Sequence, residues 1–340
     1  MAPAERAEYV CPACGSRFPV DSWLWRCPRC GSPLDVVGDA GFRRVRLGEG
    51  NTPCIESEAL GAMVKLEYMN PTGSFKDRGS SLAVGAARDL GHRCVSEDSS
   101  GNAGISVAAY AAAAGMGATV VVPRTAGGPK RDLIRALGAD LVESETREEA
   151  TRIAQGIGGC AYVGHMYSPF FVRGMEGFAG ELRSCPSEPD AVVMPVASGT
   201  LLLGAYRGAQ EVGLDVRLIA AQARGRAPLY TAVHGRDEGP PSRLADALLV
   251  ERPPRLGQMV EAIRRTGGDV ASVGDEQLVA ALRDLVRAGL LAEPSSAASL
   301  AAYRSLLESG SISRGERVVL VLTGSGLKYA QSLPGILGRV

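Results

Sequence analysis

From Leu47 onward the chain alternates short apolar runs with helical stretches, and that alternation leaves few folds open. The runs Met63–Glu67, Arg93–Ser96, Thr119–Pro123, Asp140–Glu143, Ala161–Gly164, Ala191–Val196, Val216–Gln222 and Arg317–Thr323 predict strands. Between them Asp77–Leu90, Ala103–Gly115, Pro129–Gly138, Arg147–Gly156, Leu201–Val212, Asp275–Gly289 and Ser295–Ser309 predict helices. Parallel strands need a long crossover, usually a helix, so this order builds mostly parallel sheets with helices on both faces. So many strands over roughly 300 residues fit two such sheets better than one. The fold class is α/β.

Composition agrees. The 340 residues are 45% hydrophobic and 22% charged, enough to bury a sizeable core and unlike a disordered, collagenous or coiled-coil chain. No uninterrupted apolar run reaches about 18 residues, so no spanning helix is expected. The start, MAPAERAEYVCPAC, lacks a basic stretch followed by an apolar one, which argues against a secretory signal and for a cytoplasmic protein. Thirty-seven basic residues balance thirty-seven acidic ones, without the basic stripe of a nucleic-acid binder. The 43 glycines are not periodic. They sit in loops between apolar runs, where backbone turns tightly or approaches a ligand.

The first forty residues carry a separate signal. Cys11 and Cys14, then Cys27 and Cys30, form two C-x2-C pairs twelve residues apart, each followed by glycine. Two such knuckles supply four thiolates to one tetrahedral ion, zinc or iron, with no open position for a catalytic water. Two disulfides or free thiols are the alternative, and disulfides are disfavoured in a reducing compartment. Trp23 and Trp25 lie between the knuckles, placed to pack the ribbon onto the body. Cys54, Cys94, Cys160 and Cys185 show no paired spacing and read as buried core cysteines.

In open parallel sheets ligands bind beyond the carboxyl ends of the strands, so the loops there hold the chemistry. Asn70–Gly79 reads Asn-Pro-Thr-Gly-Ser-Phe-Lys-Asp-Arg-Gly and places Lys76 at a helix start. The macrodipole there disfavours the ammonium form, which suits a Schiff-base amine, although most lysines are simply surface residues. Ser99-Ser100-Gly101-Asn102-Ala103-Gly104 opens the next helix and suits a carboxylate. Ala197-Ser198-Gly199-Thr200 opens another and suits a small cofactor's phosphate, lacking both the ATP-loop and dinucleotide spacings. Each of these two is, by itself, equally an ordinary capped helix start. Thr323-Gly324-Ser325-Gly326 ends the last strand and alone is a plain glycine-rich turn.

Together the motifs resemble the fold-type II family of pyridoxal-phosphate enzymes and, within it, the threonine synthases. The matching segments are Leu47–Pro53, Asn70–Gly79, Ser99–Gly104, Pro195–Gly204, Glu293–Ala298 and Leu322–Lys328, in the family's order. An N-terminal zinc ribbon is similar to that of some microbial threonine synthases.

The resemblance implies a two-domain body and a ribbon: 1–40 as ribbon, 41–80 with 165–340 as the large domain, and 81–164 as a small mobile one. Lys76 would join pyridoxal phosphate as a Schiff base and move protons, with Phe75 flanking the ring and Asn102 at its hydroxyl. Ala197, Ser198, Gly199, Thr200 and Leu201 would hold the phosphate. Thr323 would face the pyridine nitrogen, a hydroxyl that favours elimination and replacement over transamination. Ser99, Ser100 and Ala103 would receive the substrate carboxylate; Lys65, Ser74 and Arg78 are candidates for a substrate phosphate or for supporting its pocket.

The implied reaction removes phosphate from O-phospho-L-homoserine and adds water at the β-carbon, giving L-threonine. The alternative is a sister enzyme performing β-replacement, dehydration, or elimination on a phosphohomoserine analogue. The chain departs from the threonine synthase pattern in the Val196–Thr200 loop, at Ser325 where histidine is common, and across Tyr167–Gly174. A homodimer is implied as well, with a small amino-acid substrate as partner and neither nucleic acid nor membrane.

Overall fold

The computed structural model describes residues 7–124 and 128–338; the first six residues, read above as part of a chain start without a signal, lie outside that range. In chain order the strands are β1 (Glu8–Val10), β2 (Arg17–Pro19), β3 (Asp35–Val37), β4 (Cys54–Ser57), β5 (Ala62–Lys65), β6 (Cys94–Glu97), β7 (Gly117–Pro123), β8 (Asp140–Ser144), β9 (Ala161–Tyr162), β10 (Ala191–Pro195), β11 (Arg217–Ala223), β12 (Asp269–Val273) and β13 (Val318–Val321). They form three sheets in two compact units.

The first unit gathers the described residues up to Glu49 with Lys76–Met175. It holds the small antiparallel ribbon sheet β2-β1-β3 and a parallel sheet in the order β8-β7-β6-β9. The second gathers Gly50–Phe75 with Glu176 onward. Its six strands run β12-β11-β10-β13-β5-β4, all parallel except the edge strand β4. This is the expected pair of mostly parallel sheets with a ribbon. Relative to the expected domain ranges, residues 41–49, 76–80 and 165–175 group with the first unit.

The central strands explain their own alternation pattern. β10 (AVVMP) and β13 (VVLV) are buried at every position, as strands covered on both faces must be. Around them Val193, Ile219, Ala221, Leu282, Leu300 and Leu320 belong to one apolar core of the second unit. Gln222 is the buried polar residue of β11. Its Nε2 donates to Val196 O at 3.1 Å, and its Oε1 accepts from Leu229 N and Tyr230 N. That satisfied amide ties the carboxyl end of β10 to the helix Pro228–His234.

One expectation is corrected. Cys54 is bonded to Cys185 and Cys94 to Cys160, with Cα separations of 5.0 and 4.6 Å, so these four are cystines rather than separate core thiols. The reason for the second pair is register: Val95 on β6 lies opposite Ala161 on β9, which brings the preceding residues together. Among the described residues no helix is long and apolar enough to cross a membrane.

Candidate functional site

Both units present polar loops at the carboxyl ends of their strands. In the second unit the residue after β10 leads into Ala197, Ser198 and Gly199, then the helix Thr200–Val212. Gly199 is the residue before the helix and has φ 81°, a left-handed conformation that favours glycine. A Cβ there would also overlap the Met259 side chain. Ser198 and Thr200 are buried with their hydroxyl oxygens 3.4 Å apart, beside the helix-start amides and Leu201. Uncapped amides and two hydroxyls at a 13-residue helix N-terminus suit a phosphate.

Thr323 follows β13, buried, its Oγ1 3.1 Å from Ser296 Oγ. Its carbonyl accepts from Phe75 N at 3.0 Å, which pins the Gly73-Ser74-Phe75 segment beside the last strand. Ser325 N donates to Gly73 O at 2.9 Å, as does Lys328 Nζ. Ser74 is fully buried, yet its Oγ has no hydrogen-bond partner. A buried hydroxyl without a partner is costly unless a ligand completes it.

Lys65 lies elsewhere in this unit. Its side chain is 1% exposed, and its ammonium bonds Glu181 at 2.8 Å and Thr52 O at 2.5 Å. Thr52 Oγ1 in turn donates to Glu67, and Asn70 Nδ2 to Glu67 O. Lys65 therefore sits in an interior polar network, the setting of a supporting residue rather than of a direct phosphate contact. Breaking such a buried pair by removing one partner typically costs about 3–5 kcal/mol.

In the first unit Lys76 opens the helix Lys76–Asp89, with Asp77 and Arg78 buried behind it. Ser106 Oγ lies 2.6 Å from Asp77 Oδ1 and 2.7 Å from Ser80 Oγ, locking that helix to the helix Asn102–Ala113. Arg44 binds the Arg78 carbonyl. Asn102 is the first residue of its helix and Ala103 is buried behind it. The loop before it folds tightly: Gly101 N donates to Ser99 Oγ at 3.2 Å, and a Cβ on Gly104 would overlap Ser99 O. Ser100 is partly exposed on the same loop. Burial opposes ionisation of Glu49, yet hydrogen bonds from Ser81 Oγ, Leu47 N and Tyr110 hold its carboxyl below the usual range.

Two groups that the sequence reading passed over stand beside Lys76. Glu97, at the end of β6, is fully buried, and burial pushes its pKa up to about 8 against the opposing pull of Lys76. His165 Nδ1 lies 2.9 Å from Glu97 Oε1, and His165 N donates to Oε2 at 3.1 Å. Burial first, then Lys76, pushes the imidazole well below its usual range. The only local signal was an acidic pair, Glu97-Asp98, placed at a strand end before a polar loop.

The four ribbon cysteines converge as their spacing predicts. Their sulfurs all lie within 4.8 Å of one another, and Sγ of Cys11 is 3.4 Å from that of Cys30. Four sulfurs at about 2.3 Å from a tetrahedral zinc stand about 3.8 Å apart, so the set fits. The two knuckles repeat one geometry: Gly15 N donates to Cys11 O and Gly31 N to Cys27 O, with both glycines at positive φ. Trp23 Nε1 donates to Tyr162 O, and Trp25 packs edge-on against Tyr162 and Tyr167. The tryptophans hold the ribbon to the parallel sheet of the same unit, as expected.

Residues 45–324 match the family described as pyridoxal-phosphate dependent enzyme. A threonine synthase of Bacillus sp. (strain ULM1) is 34% identical, over 84% of this chain and 85% of that one. The threonine synthase of Methanosarcina acetivorans is 29% identical over 95% of this chain and 92% of its own. Among solved structures, maize serine racemase superposes with a TM-score of 0.70 at 25% identity, covering 85% of this chain and 93% of that chain.

Proposed function

The chain belongs to the pyridoxal-phosphate dependent enzymes, and on that premise we propose that it is a threonine synthase-like lyase. Its reaction would remove phosphate from O-phospho-L-homoserine and add water at the β-carbon. The observation that carries this reading is the buried, unpartnered Ser74 hydroxyl, two residues before Lys76, in a chain whose relatives are threonine synthases. A phosphorylated substrate would supply the missing partner.

The roles are those the family resemblance implies for the matching residues. Ser198, Thr200 and the amides from Gly199 to Leu201 hold the cofactor phosphate, and Thr323 offers the pyridine nitrogen a hydroxyl. Phe75 and Asn102 orient the ring. Lys76 holds the cofactor and moves protons at the substrate's α- and β-carbons. The cofactor, when bound, withdraws electrons from the α-carbon. Ser99, Ser100 and Ala103 orient the amino-acid carboxylate, and Arg78 supports the substrate phosphate. Lys65, bonded to Glu181 and Thr52, supports the pocket from the interior of its unit. The ribbon ion is zinc in a structural role, supported by the closed four-thiolate set. The biosynthetic relatives support a cytoplasmic setting, where the two cystines would open, and a homodimer is what the family resemblance implies.

The test has two stages. Purified protein is expected to take up pyridoxal phosphate as a chromophore that borohydride fixes to the chain, and K76A to lose that fixation. Phosphate release is then measured from O-phospho-L-homoserine beside O-phosphoserine, O-acetylserine and threonine. If phosphohomoserine is inert while phosphoserine turns over with sulfite or sulfide, the chain is a β-replacement enzyme instead.

A further inference from the structure

The first unit contains a pair of a buried acid and a mostly buried imidazole that none of the expected roles uses. Phe171 fixes its place relative to Lys76. Gly79, three residues after Lys76 on the same helix, has no side chain, and a Cβ there would overlap the Phe171 ring. The Lys76 ammonium stands 5.8 Å from the centroid of that ring, and the His165 ring packs edge-on against it at 6.1 Å. Phe171 is fully buried, so its ring is a rigid neighbour shared by the amine and the imidazole. Behind the imidazole, both oxygens of Glu97 are bonded to His165.

We propose that Glu97 and His165 form a one-proton pair that sets the charge presented to the Lys76 amine, acting as positioning residues. Glu97 keeps its proton at neutral pH because a lone carboxylate there has little solvation. In that state the carboxyl donates to Nδ1 of a neutral ring, and the pair is uncharged. When the proton leaves to bulk water, the ring proton moves to Nδ1 to bond the new carboxylate, and the pair becomes anionic. The transition lies near pH 8. Below it Lys76 sees a neutral wall; above it the amine sees a negative charge that favours its protonated form.

The other groups facing this pair do not replace it. Asp98 is held by Thr151 and Tyr162, and desolvation and Glu97 raise its pKa. Tyr162 and Tyr167 are both pushed up by burial and stay neutral.

The inference rests on Lys76 as the cofactor lysine, and the experiment separates the two. If K76A still gives borohydride-fixed chromophore, the lysine assignment fails by itself. With that assignment standing, holoenzyme is titrated by infrared spectroscopy, by 15N NMR of labelled histidine, and by its visible absorption. Expected are a carboxylic-acid carbonyl band at neutral pH that disappears near pH 8, and a change of His165 tautomer at the same midpoint. The visible absorption and kcat/KM should bend there too, and in E97Q the band and both inflections should be lost. An infrared spectrum without the acid band at neutral pH overturns the proposal, whether or not E97Q folds. So does an E97Q enzyme whose absorption still bends with the wild-type midpoint.

Discussion

At the scale of single residues, the hydrogen on Gly199 is the smallest feature with a large expected consequence. A left-handed backbone costs a residue with a Cβ about 1–2 kcal/mol, and here the Cβ would also press on Met259. G199A is therefore expected to weaken pyridoxal-phosphate binding about 5- to 30-fold, read by absorbance titration. G199A/M259A should recover the steric part only. Gly177, in the same unit with open space around its Cα, is the control. An unchanged affinity in G199A would move the phosphate away from this loop. Legibility at this scale follows sequence distance. Lys76, Asn102 and Ser198 each sit in a short run whose spacing implies a helix start, and the helices begin at 76, 102 and 200. Glu97 and His165 are 68 residues apart, and no local pattern joins them. Lys65 is legible only as a lysine near the motif, because its partner Glu181 lies 116 residues away.

At the scale of elements, the predicted strands that end in polar loops are all present within a few residues. Their uninterrupted apolar runs can only be buried strands or short buried helix segments, and the turn signals decide between these. The missed strands are those without such a run. β4 (CIES) pairs only at the sheet edge, with two of its four residues exposed, and β12 (DVASV) mixes polar and apolar residues. The helix Leu256–Arg265 has no side-chain cap and follows the Gly-, Pro- and Arg-rich stretch 236–254, so no start signal marks it. The cystines were invisible for the same reason as the missed pair, with separations of 131 and 66 residues. A crosslink closing a loop of that length typically stabilises by about 2–4 kcal/mol. C94S/C160S is thus expected to lose that amount in denaturant titrations of oxidised protein, and nothing against wild type in strong reductant. A double variant equally less stable under both conditions would assign the pair a packing role instead.

At the scale of the whole molecule, the ribbon raises the question of what the metal contributes. Its three strands have three residues each, and its buried apolar side chains amount to little beyond Tyr9, Leu34 and Val36. So small a core does not hold a fold without a staple, and metal binding supplies that free energy. What the ribbon covers is apolar: Tyr9 and Trp23 lie against Phe170, and Trp25 against Tyr162 and Tyr167. Phe170 and Tyr162 are almost completely buried in consequence. Losing the ribbon's packing should therefore cost about 3 kcal/mol or more, at about 1.5–3 kcal/mol for each large side chain returned to water. The catalytic roles proposed above fall on none of these residues. C27S, or wild type stripped by a chelator, is expected to lose its metal, melt several degrees lower and aggregate more readily. Molecules that remain folded should turn over at close to the wild-type rate. Elemental analysis should find about one zinc per wild-type chain. A folded, metal-free C27S with wild-type melting and abolished turnover would instead place the metal in the chemistry, which four closed thiolate positions do not allow.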